Sequence, residues 1–350
     1  MKGKQGMVCM GLLLVLSSCH TGKQITASGL QRKDFQTEVN GQHTDLFTLS
    51  NKQGMEVCIT NYGARVVSIL VPDRNGKRED VVCGFSTITE YMEQRQNFGS
   101  TVGRYIGRIL NARFTLDGVE YKLVPNNGKS GHISHGGNPG FADRIWKVEQ
   151  ADTHRACLSY LSPDGENGFP GNLKVTLVYS LGEDDNALDL TYEATTDAPT
   201  VLNLSHHSFF NISGNFTKSV EDQQLWVDAD RFTPYDDKKC VTGEYLPVAG
   251  TPLDFRMPHA IGECIDADHP QLKVVNGYDH TWELNTKGDD TRPAAWVYDP
   301  ASGRKMEIFT TEPGMQIYTG NGLKGKMTGK RGIAYPFRSA VCFETMHFQD

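Results

Sequence analysis

The alternation of apolar and polar residues over 173–195 constrains the fold of this chain more than any other feature. Every odd-numbered residue from Leu173 to Leu181 is apolar, and after a turn at 182–186 the alternation resumes from Leu188. A period of two places the apolar side chains on one face of a β-strand. Two such runs around a short turn predict an antiparallel hairpin with one face toward solvent.

Other segments predict the same kind of structure. The segment 114–121 carries Asp-Gly at its centre, which suits a type I′ hairpin turn. Strand-like runs at 294–298 and 305–310 flank a turn that ends in Gly, and the run 66–71 leads into Pro-Asp-Arg-Asn-Gly. Each of these runs therefore predicts a strand bounded by a turn.

The chain shows little sign of helix. Residues 87–94 have room for two helical turns, and no other segment has a convincing helical period. Many short strands without helices between them predict a sandwich or a barrel. We therefore expect an all-β fold with very little helix. Because no internal repeat, low-complexity tract or linker interrupts the chain, we expect one large antiparallel β-sandwich over residues 34–350.

The first 33 residues differ from the rest. Two Lys residues within the first four precede an apolar run at 8–16, which is too short to span a bilayer, and Leu-Ser-Ser-Cys19 follows. This order is typical of a bacterial lipoprotein, in which the Cys is lipidated and becomes the new N-terminus. We expect a signal peptide at 1–18, lipidation at Cys19 and a polar tether at 19–33. The mature protein would be periplasmic and membrane-anchored, although a plain secretory signal is the alternative.

Charge and missing motifs exclude several functions. The formal net charge of −7 argues against a general nucleic-acid binder. The six cysteines beyond Cys19 form no C-x-x-C pair, so a zinc ribbon or redox motif is unsupported, and sequence assigns no disulfide. The chain has no G-x-S-x-G, P-loop or dinucleotide-binding motif, which argues against a serine hydrolase, an NTPase or a dinucleotide enzyme.

Glu344 is the most conspicuous acidic residue. It lies in an apolar run that starts at Ala340, where a carboxylate needs a partner or a function. His206 and His207 are adjacent on a predicted strand and must point to opposite faces, so one can face a cleft while the other packs. His135 precedes two Gly residues, whose backbone freedom permits close approach to a ligand. Alone, each His is more simply a hydrogen-bonded structural group.

Other polar residues are weaker candidates. Arg104 and Arg108 are four residues apart and would share one face of a strand, and Asp254 lies in a Pro-bounded loop. His132 and His135 lack the partners of a zinc site, so we expect no metal ligation there. The acidic, Gly-rich loop 164–171 offers oxygens that can bind Ca²⁺, but it lacks the EF-hand spacing, which favours a solvated loop.

In chain order, these segments resemble the aldose 1-epimerase (galactose mutarotase) family over nearly the whole mature chain. The matching segments are 61–64, 101–109, His135-Gly-Gly, 140–146, 164–171, 203–211, 251–256, 277–280, 312–321 and 343–348. Each motif is weak alone, but their common order is highly specific. The resemblance implies a large β-sandwich of the galactose mutarotase type with a sugar cleft.

The resemblance also implies roles for residues. His207 falls on the general acid and Glu344 on the general base, while Arg108, His135, Asp254 and Gln316 fall on sugar-binding positions. Glu344 would take the proton of the C1 hydroxyl and His207 would protonate the ring oxygen, with His⁺ and Glu⁻ stabilising each other. The chemistry requires no cofactor, and a structural Ca²⁺ stays open. We expect free aldoses, chiefly glucose and galactose, as substrates of a monomer.

Four departures from the family are visible. Gly107 replaces the usual Asn before Arg108, His206 replaces an Asn, and the segment 132–135 is one residue longer than usual. The family also continues further beyond Glu344, so we expect the strand that would pair with such a tail to be a frayed edge.

Two functions of other classes remain as alternatives. A glycosidase would need two carboxylates, such as Glu344 and Asp254, flanking the scissile bond. A non-catalytic sugar-binding lipoprotein would not need both His207 and Glu344, so their joint presence favours the enzyme.

Overall fold

The computed structural model describes residues 24–349, which form many short strands and little helix. The strands up to residue 200 are β1 (Glu38–Val39), β2 (Gln42–His43), β3 (Leu46–Ser50), β4 (Glu56–Thr60), β5 (Arg65–Pro72), β6 (Arg78–Asp80), β7 (Ser100–Val102), β8 (Arg108–Ile109), β9 (Arg113–Leu116), β10 (Val119–Lys122), β11 (Ile133–Ser134), β12 (Lys147–Ala151), β13 (Arg155–Ser162), β14 (Leu173–Leu181) and β15 (Leu188–Thr196).

The strands beyond residue 200 are β16 (Ser205–His207), β17 (Phe209–Phe210), β18 (Gln224–Val227), β19 (Ala229–Thr233), β20 (Leu246–Pro247), β21 (His259–Ala260), β22 (Asp279–Leu284), β23 (Ala295–Tyr298), β24 (Lys305–Ile308), β25 (Gly314–Tyr318) and β26 (Val341–Met346). The helices are α1 (Ile88–Gln94) and α2 (Pro270–Val275), with short 3₁₀ turns at Arg32–Phe35, Leu110–Ala112, Gly128–Ser130, Phe141–Asp143, Glu166–Gly168 and Lys330–Gly332.

Two sheets form a sandwich in the first part of the chain. One has the strand order β3-β4-β5-β6 and the other β12-β13-β14-β15. Apolar side chains from both sheets, including Val57, Val66, Leu158 and Leu177, pack into one buried cluster. The predicted hairpin corresponds to β14 and β15, whose residues pair in continuous antiparallel register from Leu173–Thr196 to Leu181–Leu188.

A second sandwich follows. A six-stranded sheet of order β17-β26-β25-β22-β19-β20 packs on the sheet β21-β18-β23-β24. Their shared core includes Leu225, Trp282, Val297 and Phe343. The two sandwiches meet at Phe210, which packs against both cores and bridges to Val82. The expected all-β architecture is therefore confirmed, with two pairs of sheets whose apolar cores both contact Phe210.

Local predictions largely agree with the structure. The Asp117-Gly118 turn has φ values of 52° and 78°, as a type I′ turn requires, and it joins β9 to β10. The helix expected over 87–94 is α1, which starts with a capping box between Thr87 and Glu90. Helix α2 was not expected, because it is only six residues long and its Pro at the first turn resembles a turn signal.

The tether prediction is wrong for residues 24–33. In this segment Thr26, Ser28 and Leu30 are buried. The Ser28 hydroxyl lies 3.0 Å from the Ser68 hydroxyl, and the Ser28 amide donates to Glu56. The segment is therefore packed against β4 and β5 through Ser28, while the residues between the buried ones stay exposed. The signal peptide, Cys19 and residues 19–23 lie outside the described residues.

The C-terminal strand is not a frayed edge. Strand β26, which carries Glu344, lies between β17 and β25 and is hydrogen-bonded to both. Glu344 therefore lies on an internal strand, while the expectation about a strand that would pair with a longer tail stays a prediction. The six cysteines of residues 24–349 are free thiols, and none of the helices in this range is long and apolar enough to cross a membrane.

Candidate active site

His207 on β16 and Glu344 on β26 have side chains that face each other. The His207 Nε2 atom lies 3.5 Å from Glu344 Oε1, and both side chains are buried. Strand alternation explains the position of Glu344, because Phe343 points into the core of the second sandwich while Cys342 and Glu344 point the other way. The carboxylate in an apolar run thus faces a polar partner on the opposite side of the sheet from the core.

The two adjacent histidines point to opposite sides, as the strand period predicts. The His206 ring packs edge-on against Tyr179 in the first sandwich, with ring centroids 6.0 Å apart. The His207 ring stacks on Phe209 and meets the His135 ring edge-on at 5.4 Å. Its Nδ1 atom lies 3.6 Å from the Cys342 sulfur, so Nε2 is the nitrogen that faces Glu344.

His135 reaches this pair from a strained Gly-rich loop. Its own φ is 52°, and Gly136 and Gly137 also have positive φ. A Cβ at Gly136 would lie 1.9 Å from the Gly103 carbonyl oxygen, so no other residue fits there without backbone movement. His132 instead turns away, with Nε2 3.1 Å from the Cys240 sulfur. His135 rather than His132 therefore lies beside His207.

The acidic loop 164–171 supports the His135 loop. Glu166 is paired with Arg144 at 2.6 Å and accepts a hydrogen bond from the Tyr160 hydroxyl. The Asn167 amide donates to the carbonyl oxygens of Gly136 and Pro139. The loop is therefore part of the scaffold of the site rather than a solvated turn.

Gln316 lies directly opposite Glu344 on the neighbouring strand β25. Its Nε2 atom donates to Asp279 Oδ1 at 2.7 Å and to the Tyr235 hydroxyl at 3.1 Å. Its Oε1 atom accepts from the Thr281 hydroxyl at 2.5 Å. The amide is thus held in one orientation, with its nitrogen toward Asp279.

Arg108 completes the polar rim. Its guanidinium lies over the Tyr235 ring, 5.8 Å from the centroid, and its charge acts on both Asp279 and Glu344. His135 also lines a polar cavity of about 260 Å³, together with Asn97, Asn126 and Asn138 among others. The sequence-predicted residues Arg108, His135, His207, Gln316 and Glu344 therefore come together in one place.

Asp254 does not join them. Its carboxylate is bound by the Arg256 guanidinium through two hydrogen bonds of 2.8 Å, and Arg256 also contacts Asp230 at a partly exposed surface. The assignment of Asp254 to the sugar site is therefore wrong, because a neighbouring Arg occupies the carboxylate. Asp279, rather than Asp254, is the aspartate that lies beside Gln316 at the site.

Sequence reasoning missed Asp279 and Tyr235. Asp279 starts β22 between the fully buried residues Tyr278 and His280, and the Gly-Tyr-Asp-His segment was already part of the resemblance. That matching segment was the available signal in the sequence. Tyr235 lies in a loop without any motif, so only the fold brings it to Arg108 and Gln316.

Residues 45–350 match the family model for aldose 1-epimerases. This chain belongs to the aldose 1-epimerase family. It is 39% identical over 302 residues to the galactose mutarotase of Sus scrofa, covering 86% of this chain and 85% of that protein. It is 36% identical over 293 residues to the aldose 1-epimerase of Escherichia coli (strain K12), covering 84% and 83%. As a family member it is an isomerase.

Solved structures agree with this assignment to the epimerase family. An aldose epimerase homologue from C. elegans aligns with a TM-score of 0.79 at 30% identity, covering 87% of this chain and 89% of that one. A galactose 1-epimerase from Lactobacillus acidophilus NCFM aligns with a TM-score of 0.78 at 29% identity, covering 89% and 88%. The expected galactose mutarotase type of fold is therefore confirmed.

Loss of solvation sets the protonation of this epimerase site. It lowers the pKa of His207 to about 4, and together with the charges of His207 and Arg108 it lowers the pKa of His135 to about 3. It raises the pKa of Glu344 well above its ordinary value, with a further contribution from Asp279 and an opposing one from Arg108. The expected His⁺/Glu⁻ pair is therefore not favoured, because desolvation outweighs the mutual attraction.

The acid–base pair also belongs to a group of metal-ligand types. One ligand atom each from His207, Cys342 and Glu344 lies within 4.8 Å of the others, and no second such group of three occurs within residues 24–349. All three side chains are buried. That the chemistry needs no metal stays a prediction.

Proposed function

We propose that this chain interconverts the α and β anomers of free aldoses, with Glu344 as general base and His207 as general acid. The observation that carries the proposal is the 3.5 Å approach of His207 Nε2 to Glu344 Oε1 within a ring of polar side chains. A proton donor and a proton acceptor on two rigid strands are what ring opening of a hemiacetal requires. Glucose and galactose are the expected substrates.

The reaction balances with these two residues alone. Glu344 takes the proton of the C1 hydroxyl, the C1–O5 bond breaks, and C1=O forms while His207 gives a proton to O5. Rotation about the C1–C2 bond then presents the other face of the carbonyl. Reclosure runs the two proton transfers in reverse and gives the other anomer. Each positioned group typically contributes about 10²–10⁴-fold to the rate.

The pKa directions favour the ring-opening step. A low pKa makes protonated His207 a strong acid, and a raised pKa makes ionised Glu344 a strong base. Ring opening leaves His207 neutral and Glu344 protonated, which is the uncharged state that the poorly solvated site favours. The cost is a small population of the reactive ionised pair before substrate binds.

The remaining polar residues hold the sugar in this proposal. Asp279 accepts from Gln316 through one carboxylate oxygen and has the other to accept a sugar hydroxyl. Arg108 and His135 are donors on other sides of the site, and Tyr235 supplies an aromatic wall beside Arg108. The proposed mechanism uses side chains of this chain alone, and a monomeric enzyme that requires no cofactor stays a prediction.

Neither alternative function gains support from the geometry. A glycosidase that uses Glu344 and Asp254 is disfavoured, because Asp254 is bound by Arg256. A sugar-binding protein without catalysis has no need for the buried pair of His207 and Glu344. The experiment that tests the proposal uses NMR to measure exchange between the α and β anomeric protons, for glucose and for galactose separately. Hydrolysis of aryl glycosides is the control. Hydrolysis without enhanced anomer exchange would contradict the proposal.

The site proposal also predicts that treatment with EDTA leaves the activity intact. Loss of activity with EDTA and its recovery with zinc would instead assign His207, Cys342 and Glu344 to a metal.

We further propose that Cys19 is the site of lipidation and that the mature enzyme is anchored in the bacterial cell envelope. The support is the order of positive residues, the apolar run at 8–16 and the Leu-Ser-Ser-Cys19 sequence. Cys19→Ala is expected to move the protein from the membrane fraction to the soluble fraction or to leave it unprocessed. Unchanged processing and membrane association would contradict lipidation.

A further inference from the structure

Gln349 brings a second amide into the polar network of the site. Its side chain is buried, and its Oε1 atom accepts a hydrogen bond from the Arg108 backbone amide at 3.1 Å. Its Nε2 atom donates to Gln316 Oε1 at 3.2 Å and to the Tyr235 hydroxyl at 3.3 Å. One side chain from the C-terminal segment thus connects Arg108, Gln316 and Tyr235.

The segment that carries Gln349 is held independently of these contacts. The Asn203 side chain exchanges hydrogen bonds with the backbone of His347, at 2.9 and 3.1 Å. The Tyr105 hydroxyl donates to the Phe348 carbonyl at 3.0 Å, and the Phe348 ring packs edge-on against Tyr245. Gln349 therefore reaches the site from a fixed backbone.

Gly107 makes the room that Gln349 occupies. It precedes Arg108, has a φ of +76°, and a Cβ built on it would lie 2.4 Å from Gln349 Cγ and 2.5 Å from Gln349 Cδ. Such contacts are far inside van der Waals distance, so a side chain at position 107 and the Gln349 amide exclude each other. Gly107 is also where the family resemblance predicted Asn, another amide.

The contacts of Gln349 determine the orientation of Gln316. The Gln316 oxygen accepts from Thr281 and Gln349, and this leaves the Gln316 nitrogen to donate to Asp279. Without the donor from Gln349, the amide of Gln316 loses one of the two hydrogen bonds that hold its oxygen away from Asp279. If the Gln316 amide were reversed, its Oε1 atom would lie against the Asp279 carboxylate oxygen, and both atoms are acceptors.

We propose that Gln349 is a positioning residue of the sugar site and that it supplies from the C-terminal segment the amide that Gly107 cannot. It acts through Gln316 on Asp279 and through the backbone of Arg108 on the guanidinium. The proposal rests on the proposed function, since its effect is on sugar binding. It predicts that loss of Gln349 weakens binding while leaving the acid–base pair of His207 and Glu344 in place.

The first test is the steady-state kinetics of Gln349→Ala and Gln349→Glu. KM for glucose is expected to rise about tenfold in both variants with kcat within about twofold, because one hydrogen bond of ~1.4 kcal/mol corresponds to a factor of ten. Glu keeps the shape of Gln but cannot donate to Gln316. The control is His347→Ala, whose side chain is exposed and paired with Glu312, and wild-type KM is expected there. Wild-type KM in Gln349→Ala would overturn the proposal.

The second test is rescue from position 107. Asn tolerates a positive φ, so Gly107→Asn in the Gln349→Ala background is expected to restore KM to within about threefold of wild type. Gly107→Ala in the same background has no amide and is expected to leave KM raised. Equal KM values for these two double variants would overturn the proposal.

Thermal unfolding gives a reading that does not depend on activity. Gly107→Asn alone is expected to lower Tm, because the new side chain collides with Gln349, and most of that loss is expected to disappear in the Gln349→Ala background. Additive changes in Tm would overturn the proposed exclusion. If the wild-type chain does not accelerate anomer exchange at all, the proposed function fails while this coupling in Tm can still be observed.

Discussion

Gln316 and Glu344 are direct cross-strand partners on β25 and β26, with their side chains on the face of the sheet opposite the core. Gln316 holds Asp279, and Glu344 faces His207. Two adjacent strands therefore contribute one residue each, Gln316 to the sugar-binding part and Glu344 to the acid–base part of the proposed site. This rigid arrangement makes the role of each residue separable by substitution.

The two aspartates provide a matched pair of variants. Asp279→Asn is expected to lower kcat/KM for glucose by about 10²-fold, because it removes a carboxylate acceptor from the site and puts an amide donor in place of one of its oxygens. Asp254→Asn is expected to stay within about threefold of wild type, because its carboxylate is bound to Arg256. A large loss in Asp254→Asn with an active Asp279→Asn would restore the original assignment.

Replacing Glu344 is expected to stabilise the protein. Its pKa is raised by desolvation, so above the ordinary value of 4.5 the folded state retains a proton that the unfolded state has lost, and stability falls as pH rises. Glu344→Gln removes this penalty. In urea unfolding, its free energy of unfolding relative to wild type is expected to increase between pH 5 and pH 8, by up to ~1.4 kcal/mol per pH unit. The exposed Glu38→Gln serves as control, and a difference that does not change with pH would contradict the account.

Poorly solvated histidines predict acid sensitivity. Loss of solvation lowers the pKa of His280 and His206 to about 3, as it does for His135. Below pH 6.5 the unfolded state therefore binds protons at these histidines that the folded state does not bind. Stability is therefore expected to fall as pH decreases from 6.5 toward 4, opposite in sign to the effect of Glu344.

The variant that checks this is His280→Gln. It is expected to reduce the slope of unfolding free energy against pH by up to ~1.4 kcal/mol per pH unit. His43→Gln, at an exposed site, is the control and should leave the slope unchanged. Equal slopes in wild type and His280→Gln would show that this histidine does not contribute.

His206 is expected to be dispensable for catalysis. Its ring faces Tyr179 in the first sandwich and points away from Glu344, so His206→Asn should keep kcat/KM within about threefold of wild type. The measurement is the rate of anomer exchange at saturating and subsaturating glucose. A loss as large as that of His207→Gln would mean that the wrong histidine was assigned.

The sequence predicted those features that depend on local pattern. Alternation gave the strands at 173–195 and placed His206 and His207 on opposite faces, and the apolar surroundings of Glu344 marked it as buried. The partners of the two aspartates were not predicted. That of Asp254 lies only two residues away in the chain, whereas that of Asp279 lies on another strand. Asp254 looked available in sequence but is bound by Arg256, and Asp279 meets Gln316 only because β22 pairs with β25.

The N-terminal segment and Gln349 show the same limit. Residues 24–33 are polar, yet their hydroxyls find buried partners on strands far along the chain. Gln349 lies beside Gly107 only because the C-terminal segment folds over the site. In both cases tertiary hydrogen bonds bury polar side chains, and the local sequence does not predict such bonds.

Polarimetry of freshly dissolved α-D-glucose tests the central claim most directly. The wild-type chain is expected to accelerate the decay of optical rotation to its equilibrium value. Glu344→Gln and His207→Gln should each lower kcat by about 10²–10⁴-fold while remaining folded, because each removes one proton carrier at similar volume. Decay above the spontaneous rate at wild-type speed in either variant would contradict the assignment of His207 and Glu344 as the acid–base pair.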